Sequence, residues 1–327
     1  MHIYSFRLFA VLSSVLLGCA GEAEWSLVEG RPSQPAPAVT APPAQARAKM
    51  TSFQGLSMGL PSSAAPRGIA HLDGTVYLVI DGQLFSLASG AKAWSAVVLP
   101  LAPAERVTSV TRVDLSLYLT TTDGLFRLVW GEAAAVRLPA PKNGWALVKK
   151  GGELLLATSA GLFASKDKGQ SFTLRSAGAP FSGPGLALVA SAAAQRIFAA
   201  GAGGGLFFSD DAGERWTSGL VAGEVRAVAA SGAYVLVETA AGTLRSDNYG
   251  NTFHPASVGA PPAGFGFSGP RAFAGTLGGV RISDDGGKSW RDGNDGLPAA
   301  TQVRSVWVAG PAVVAATATE VFVAELF

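Results

Sequence analysis

Short apolar runs separated by turns rich in glycine, serine and aspartate recur along this chain, and they recur in sets of three. Ala146–Val148, Leu154–Ala157 and Gly161-Leu162-Phe163 form one set; Leu186–Val189, Ile197–Ala200 and Gly205-Leu206-Phe207 form the next. Val225–Val228, Val235–Val237 and Gly242-Thr243-Leu244 follow, then Phe265–Phe267, Ala272–Ala274 and Gly279-Val280-Arg281. Runs of this length, bounded by turn formers, predict buried strands rather than helices. Weaker sets flank these four: Val76–Ile80 with Gln83-Leu84-Phe85-Ser86 and Trp94, Leu117–Thr120 with Gly124-Leu125-Phe126, and Ala312–Ala316 with Glu320-Val321-Phe322. Equivalent positions fall near 83, 124, 161, 205, 242, 279 and 320, a spacing of 37 to 44 residues. Such a period marks a repeat architecture.

Each of the four strong sets is followed by one pattern, Ser-x-Asp/Asn-x-Gly-x-x-aromatic: SKDKGQSF from Ser165, SDDAGERW from Ser209, SDNYGNTF from Ser246 and SDDGGKSW from Ser283. A short carboxylate or amide accepts backbone N–H bonds inside a tight turn. Glycine permits the positive φ the turn needs. The aromatic starts a fourth strand. Ser165, Asp167, Gly169, Ser209, Asp211, Gly213, Ser246, Asn248, Gly250, Ser283, Asp285 and Gly287 are therefore expected as structural turn-makers, with no catalytic residue among them. The pattern resembles the Asp-box, or BNR repeat. Three strands, a box turn and a fourth strand make one propeller blade, so the expectation is all-β: a single seven-bladed β-propeller over residues 51–327. The seventh unit stops at Phe327 after its third strand. SFQGLSMGLP (Ser52 to Pro61) matches SWRDGNDGLP (Ser289 to Pro298), so Ser52–Leu56 is expected to supply the missing outer strand and close the ring.

Composition agrees with many tight turns: of 327 residues 41 are Gly and 19 Pro, with 48% hydrophobic and only 15% charged. The net charge of +2 is spread over scattered basic residues, with Lys149-Lys150 the longest run, which argues against a nucleic-acid partner. Cys19 is the single cysteine, so neither an internal disulfide nor a cysteine metal site is expected, and no cofactor is.

Residues 1–18 read as an export signal: Arg7, then an apolar stretch from Leu8 to Leu17 too short to span a membrane stably. Leu16-Leu17-Gly18-Cys19 resembles the bacterial lipobox, which implies that Cys19 is lipidated and that the protein is anchored in the cell envelope through several acyl chains. Ala20 in place of Asp implies the outer membrane. Residues 19–50, rich in Pro and Ala, form a lipidated Cys plus an extended tether.

Asp-boxes also occur in sialidases and other propeller glycosidases. The Arg-Ile-Pro signature of sialidases is absent; Arg196-Ile197-Phe198 reads as a strand. Glycosidases need two facing carboxylates. Asp81 and Asp123, before Gly82 and Gly124, occupy similar places in successive units and read first as Asp-Gly turns. GAGGG (Gly201–Gly205) lies between two strands and is no dinucleotide loop. His71 and His254 read as ordinary strand or loop positions. Trp94, Trp216 and Trp290 fall at box ends and are expected in the blade core; Trp130 and Trp145 flank a stretch without a box and read as core, with surface exposure the alternative. Residues 51–327 as a whole resemble Asp-box seven-bladed propellers, and the exported single-domain type is similar to photosystem II assembly factors. The resemblance implies a non-catalytic platform binding envelope proteins or polysaccharide. It does not extend to photosynthesis, since no arginine patch is evident along the sequence. A cell-surface glycoside hydrolase is the alternative.

Overall fold

The computed structural model describes residues 49–327 apart from 63–65, 133, 178–186, 191–195, 201–203, 219–220 and 222. The leader, Cys19 and the tether up to residue 48 lie outside the described residues. The strands form seven four-stranded antiparallel sheets, six of them from four consecutive strands. The inner strands are Pro66–Leu72, Val107–Val113, Gly144–Lys150, Ala187–Ala190, Val225–Ser231, Pro262–Ser268 and Ser305–Ala309. Each packs against the next, and the last returns to the first. This is a closed seven-bladed propeller, with blades numbered here in chain order.

Second strands explain why the apolar runs are continuous instead of alternating. In Ser116–Thr121 and Glu153–Thr158 every residue after the first is buried, because each face of a blade is covered by a neighbouring blade. The core therefore lies between blades. Phe198 of blade 4 packs with Val225, Val235 and Val237 of blade 5, and Phe273 of blade 6 with Val306, Val313 and Phe322 of blade 7.

Blade 7 is built from both ends of the described chain, as the matched decapeptides predict. Gln54–Gly55 is its outer strand, pairing Gln54 with Val323 and Gly55 with Phe322. The Thr51 and Leu56 amides donate to Glu325 and Val321 at 2.9 and 2.8 Å, and Lys49 and Phe327 exchange bonds of 2.9 and 3.0 Å. Phe53 is 3% exposed, packed beside Phe322. The matched Gly-Leu-Pro segments have a shared task. The carbonyl before Gly296, that of Asp295, accepts the Phe53 amide at 2.8 Å; the carbonyl before Gly59, that of Met58, accepts the Trp94 amide at 2.8 Å. Both joints of the closing blade thus use one clasp between an outer-strand end and the aromatic of the next blade.

Antiparallel order puts the connections on two rims. The box rim carries the Asp-boxes and the turns between inner and second strands. The crossover rim carries the turns between second and third strands and the connections between blades.

Candidate functional site

On the box rim, the four boxes form the same knot. Each serine hydroxyl donates to the Asp or Asn Oδ1, at 2.7 Å in Ser165, 2.8 Å in Ser209, 2.9 Å in Ser246 and 2.8 Å in Ser283. The same hydroxyl accepts the amide of Gly169, Gly213, Gly250 or Gly287 at 2.7 to 2.9 Å. Oδ1 then accepts the amide four residues on: Ser171, Arg215, Thr252 and Ser289, at 2.9 to 3.0 Å. Hydrogen bonds from the Ser171 hydroxyl and amide hold the Asp167 carboxyl down at about 2. Burial pushes against the same effect at Asp211 and Asp285, but hydrogen bonds still keep both below the usual carboxylate range. All of this is turn chemistry.

The glycine is needed twice over. Gly213 has φ of 90°, and a Cβ there would stand 2.2 Å from Leu162 Cδ2 of blade 3. Each box turn therefore plugs the gap to the preceding blade. Blade 1 has no box, and a cavity of about 370 Å³ opens at its joint with blade 7, bordered by Gln54, His71, Leu87, Lys92 and Glu325. Blade 2 has none either, and there Trp130 is 53% exposed beside Leu115. Its assignment to the core is corrected: with no box aromatic or box loop to fold over it, the ring has nothing to pack under. Trp94 is buried as expected, while Trp145, Trp216 and Trp290 are half-buried.

Charges on the box rim are largely spent in pairs. Lys149 meets Asp114 at 2.7 Å, Arg175 meets Glu153 at 2.7 Å, Arg196 meets Asp210 at 2.7 Å and Arg271 meets Asp284 at 2.6 Å.

The crossover rim differs at its inner edge. The inner strands of blades 1, 2, 3, 5 and 6 each carry a β-bulge at this end, between Pro66/Gly68, Val107/Ser109, Gly144/Ala146, Val225/Ala227 and Pro262/Gly264. A bulge leaves one residue unpaired and re-aims it. The bulged residues are Arg67, Thr108, Trp145, Arg226 and Ala263. Arg304 holds the same place in blade 7, its amide bonded to Ala316 at 2.8 Å. Arg67, Arg226 and Arg304 are exposed and make no ion pair among the described residues. Sequence reading missed them because they are far apart in the chain. A signal does exist: each stands six residues before the first residue of its inner turn, Asp73, Gly232 or Gly310.

Two buried carboxyls share this rim. Glu105 is bound by Arg137, by the Thr121 hydroxyl at 2.6 Å and by the Ala102 amide at 2.9 Å. Burial alone would raise its pKa; these bonds outweigh it and hold the group ionised. Glu238 sits at a position that is apolar, Thr or Gly in the other blades. Burial pushes its pKa up, against the Thr243 hydroxyl that donates to it and the charge of Arg226.

Asp81 and Asp123 are turn residues, but not at similar places. Asp81 and Gly82 form a two-residue turn with φ of 51° and 77°. Asp123 stands one position later, in a turn tied by Thr121, whose hydroxyl accepts the Asp123 amide at 3.2 Å and shares its one proton between Glu105 and the Gly124 carbonyl, 3.1 Å away. Thr158, Thr239 and Thr276 tie the corresponding turns in the same way, a Thr-x-x-Gly repeat that sequence reading passed over. Lys142 binds Asp123 at 2.5 Å and lowers its pKa. His254 is exposed on an outer strand. Gly204 and Gly205 enter the third strand of blade 4; the rest of GAGGG lies outside the described residues.

These features define a seven-bladed propeller whose box turns are bonded within themselves and whose opposite rim carries three exposed arginines without ion pairs among the described residues. Among solved structures the chain is similar to YCF48 from Cyanidioschyzon merolae, with a TM-score of 0.64 and 14% identity over 84% of this chain and 98% of that one. It is equally similar to YCF48 bound to D1 peptide, with a TM-score of 0.65 and 15% identity over 85% and 97%. The extracellular domain of the one-component system BT4673 from B. thetaiotaomicron gives 0.64 and 12% identity, over 83% of this chain and 39% of that one. At these identities the likeness is one of fold. No family model matches the sequence, and no curated protein matches it.

Proposed function

We propose that this chain is an exported, lipid-anchored propeller of the bacterial envelope that serves as a non-catalytic platform for a protein partner. In this reading Cys19 carries the lipid, in the outer membrane as Ala20 suggests, and the crossover rim takes an acidic segment of the partner. The observation that carries the reading is the repeated position at the start of the inner strands, where Arg67, Arg226 and Arg304 are exposed and make no ion pair among the described residues, although Arg226 also acts on the buried Glu238. Guanidinium donors match carboxylates in a fixed fork geometry. A similar propeller bound to a peptide makes a protein ligand the natural first choice.

The test is crosslinking in the host followed by solubilisation and identification of what co-purifies. One stoichiometric envelope protein, lost when Arg67, Arg226 and Arg304 are replaced by Glu, supports the reading. Recovery of polysaccharide alone overturns it. Acyl labelling that disappears in Cys19→Ser supports the anchor; labelling that persists overturns it.

A further inference from the structure

The cavity between blades 7 and 1 lies where the other joints are plugged. In blades 3 to 6 the box glycine presses on Leu138, Leu162, Phe198 or Leu236 of the preceding blade, and an added Cβ would stand 2.2 to 2.8 Å from that side chain. Blade 1 cannot repeat this contact. Counting back from Trp94 puts Leu87, Ser89 and Ala91 where a box has serine, aspartate and glycine. Leu87 has no hydroxyl to gather the turn, and Ala91 carries a Cβ where the box has none. The turn is fastened to its own blade: the Ser89 amide donates to the Gly74 carbonyl at 2.9 Å, and the Ala91 amide to the Ala88 carbonyl at 3.0 Å. About 370 Å³ is left open against blade 7.

The floor of this space is aliphatic. Leu56, Ala312 and Val323 come from blade 7 and Val76 and Leu87 from blade 1; all but Leu56 are buried strand residues, so the floor is formed in advance. The rim carries one charge of each sign. Lys92 comes from the blade 1 turn and Glu325 from the end of the third strand of blade 7. Both are exposed, and neither makes an ion pair among the described residues. His71 crosses the joint: a Cβ on Gly310 of blade 7 would stand 2.5 Å from its Nδ1. Burial and the charge of Arg112 hold its pKa below the ordinary value, against Asp73, so it lines the cavity uncharged at neutral pH.

This lining selects by charge. A lone anion would meet Glu325 as well as Lys92, and a lone cation the reverse. A wholly apolar ligand would take water from both charges and return nothing. A zwitterion with an aliphatic body satisfies all three surfaces, and electrostatic complementarity of this kind sets specificity. The volume falls at the lower end of small-ligand cavities, which begin at about 300 Å³. We propose that the joint of blades 7 and 1 binds a short aliphatic peptide by its free ends. Lys92 takes the carboxylate, Glu325 the amine, and Val76, Leu87 and Val323 the side chain between them. The site is separate from the arginine edge, which lies on the opposite rim.

The test is calorimetric titration of the full-length protein with the tripeptide Ala-Leu-Ala, its acetylated and amidated forms, and Ala-Asp-Ala. Ala-Leu-Ala should bind saturably at one site, and capping both ends should weaken it by about tenfold or more, because each end loses a charge-assisted hydrogen bond. No saturable binding, equal binding of the doubly capped form, or equal binding of Ala-Asp-Ala overturns the proposal. Lys92→Gln and Glu325→Gln alter exposed side chains, so melting should not change, while each should weaken the free tripeptide several-fold. In Lys92→Gln, amidation should cost nothing further; in Glu325→Gln, acetylation should cost nothing further. The opposite pattern overturns the orientation, and unchanged affinity in both variants overturns the site. The protein with Arg67, Arg226 and Arg304 replaced by Glu should bind Ala-Leu-Ala as the parent does. Loss of binding there would place the peptide on the crossover rim and overturn the proposal, whatever becomes of the protein partner.

Discussion

The two rims of this propeller use similar residues to opposite ends. On the box rim, polar side chains are consumed by the fold: each box serine serves one carboxylate or amide and one backbone amide, and the arginines nearby are matched with aspartates or glutamates. At the inner edge of the crossover rim, bulges lift Arg67 and Arg226 out of the ladder, and these two and Arg304 make no ion pair among the described residues. Paired exposed charges add little stability, typically within about 1 kcal/mol. Unpaired ones add none, and in the proposed function the three at this repeated position are the ones that meet the partner. The same chemistry is structural where its hydrogen-bonding capacity is used up, and it stays available for a ligand where that capacity is left over.

The strongest way to break the comparison is to remove the segment on which both rims depend. Deleting residues 51–60 takes away the outer strand of blade 7, the buried Phe53 and both Gly-Leu-Pro clasps. Truncating one buried Phe costs about 3–5 kcal/mol, and the deletion exceeds that. The expected outcome is loss of cooperative melting; an unchanged transition would show that the ring closes without its seam.

Gly213→Ala tests the box rim alone. It combines a left-handed backbone, at about 1–2 kcal/mol, with overlap against Leu162, at about 1–3 kcal/mol. Chemical denaturation should show a loss of that combined size. Partner binding by the material that remains folded should be unchanged. A loss of binding at constant stability would move the site to the box rim.

Replacing Arg67, Arg226 and Arg304 by Glu tests the other rim. The melting transition should stay within about 0.5 kcal/mol of the parent, as for surface changes away from special features. Affinity for the crosslinked partner should fall by about tenfold or more, with a steep dependence on salt in the parent protein. Destabilisation without loss of affinity would make the arginines part of the scaffold.

These rims were unequally legible in the sequence. The boxes announce themselves because turn, serine, carboxylate and glycine are bonded within eight residues, so a local pattern records the whole structure. The closing strand was legible for a related reason: SFQGLSMGLP and SWRDGNDGLP make the same bonds to the next blade. The arginine edge was not, because Arg67, Arg226 and Arg304 share a position only after the inner strands are aligned on their turns, whereas alignment on the boxes leaves blades 1 and 7 without an anchor. Asp81 and Asp123 were placed together by their following glycines, although the Thr-tied turn of blade 2 shifts one of them by a residue. Trp130 was placed in the core by its type, and its exposure follows from the missing box.

The finest distinction within the box rim is between carboxylate and amide, since Asn248 does in blade 5 what Asp167, Asp211 and Asp285 do elsewhere. Asp285→Asn should keep the bonds to Ser283 and to the Ser289 amide, because the amide Oδ1 accepts as the carboxylate does. The bond to the Ser289 hydroxyl, now donated by that hydroxyl to the second oxygen at 2.5 Å, should reverse, as in blade 5 where the Asn248 amide nitrogen donates to the Thr252 hydroxyl at 2.9 Å. One neutral hydrogen bond is worth about 1 kcal/mol, so the loss at pH 7 should be no larger. The pH dependence is more telling. Asp167, Asp211 and Asp285 have folded pKa values below the ordinary 3.8, with Asp167 at about 2. A depressed folded value means that their stabilisation is complete above the unfolded pKa and disappears as pH falls from about 4 towards 2. Urea midpoints measured between pH 5 and pH 2 should therefore fall less steeply in Asp285→Asn than in the parent. Parallel curves would mean that the box carboxylate acts in this turn only as a hydrogen-bond acceptor, and that its charge contributes nothing to the knot.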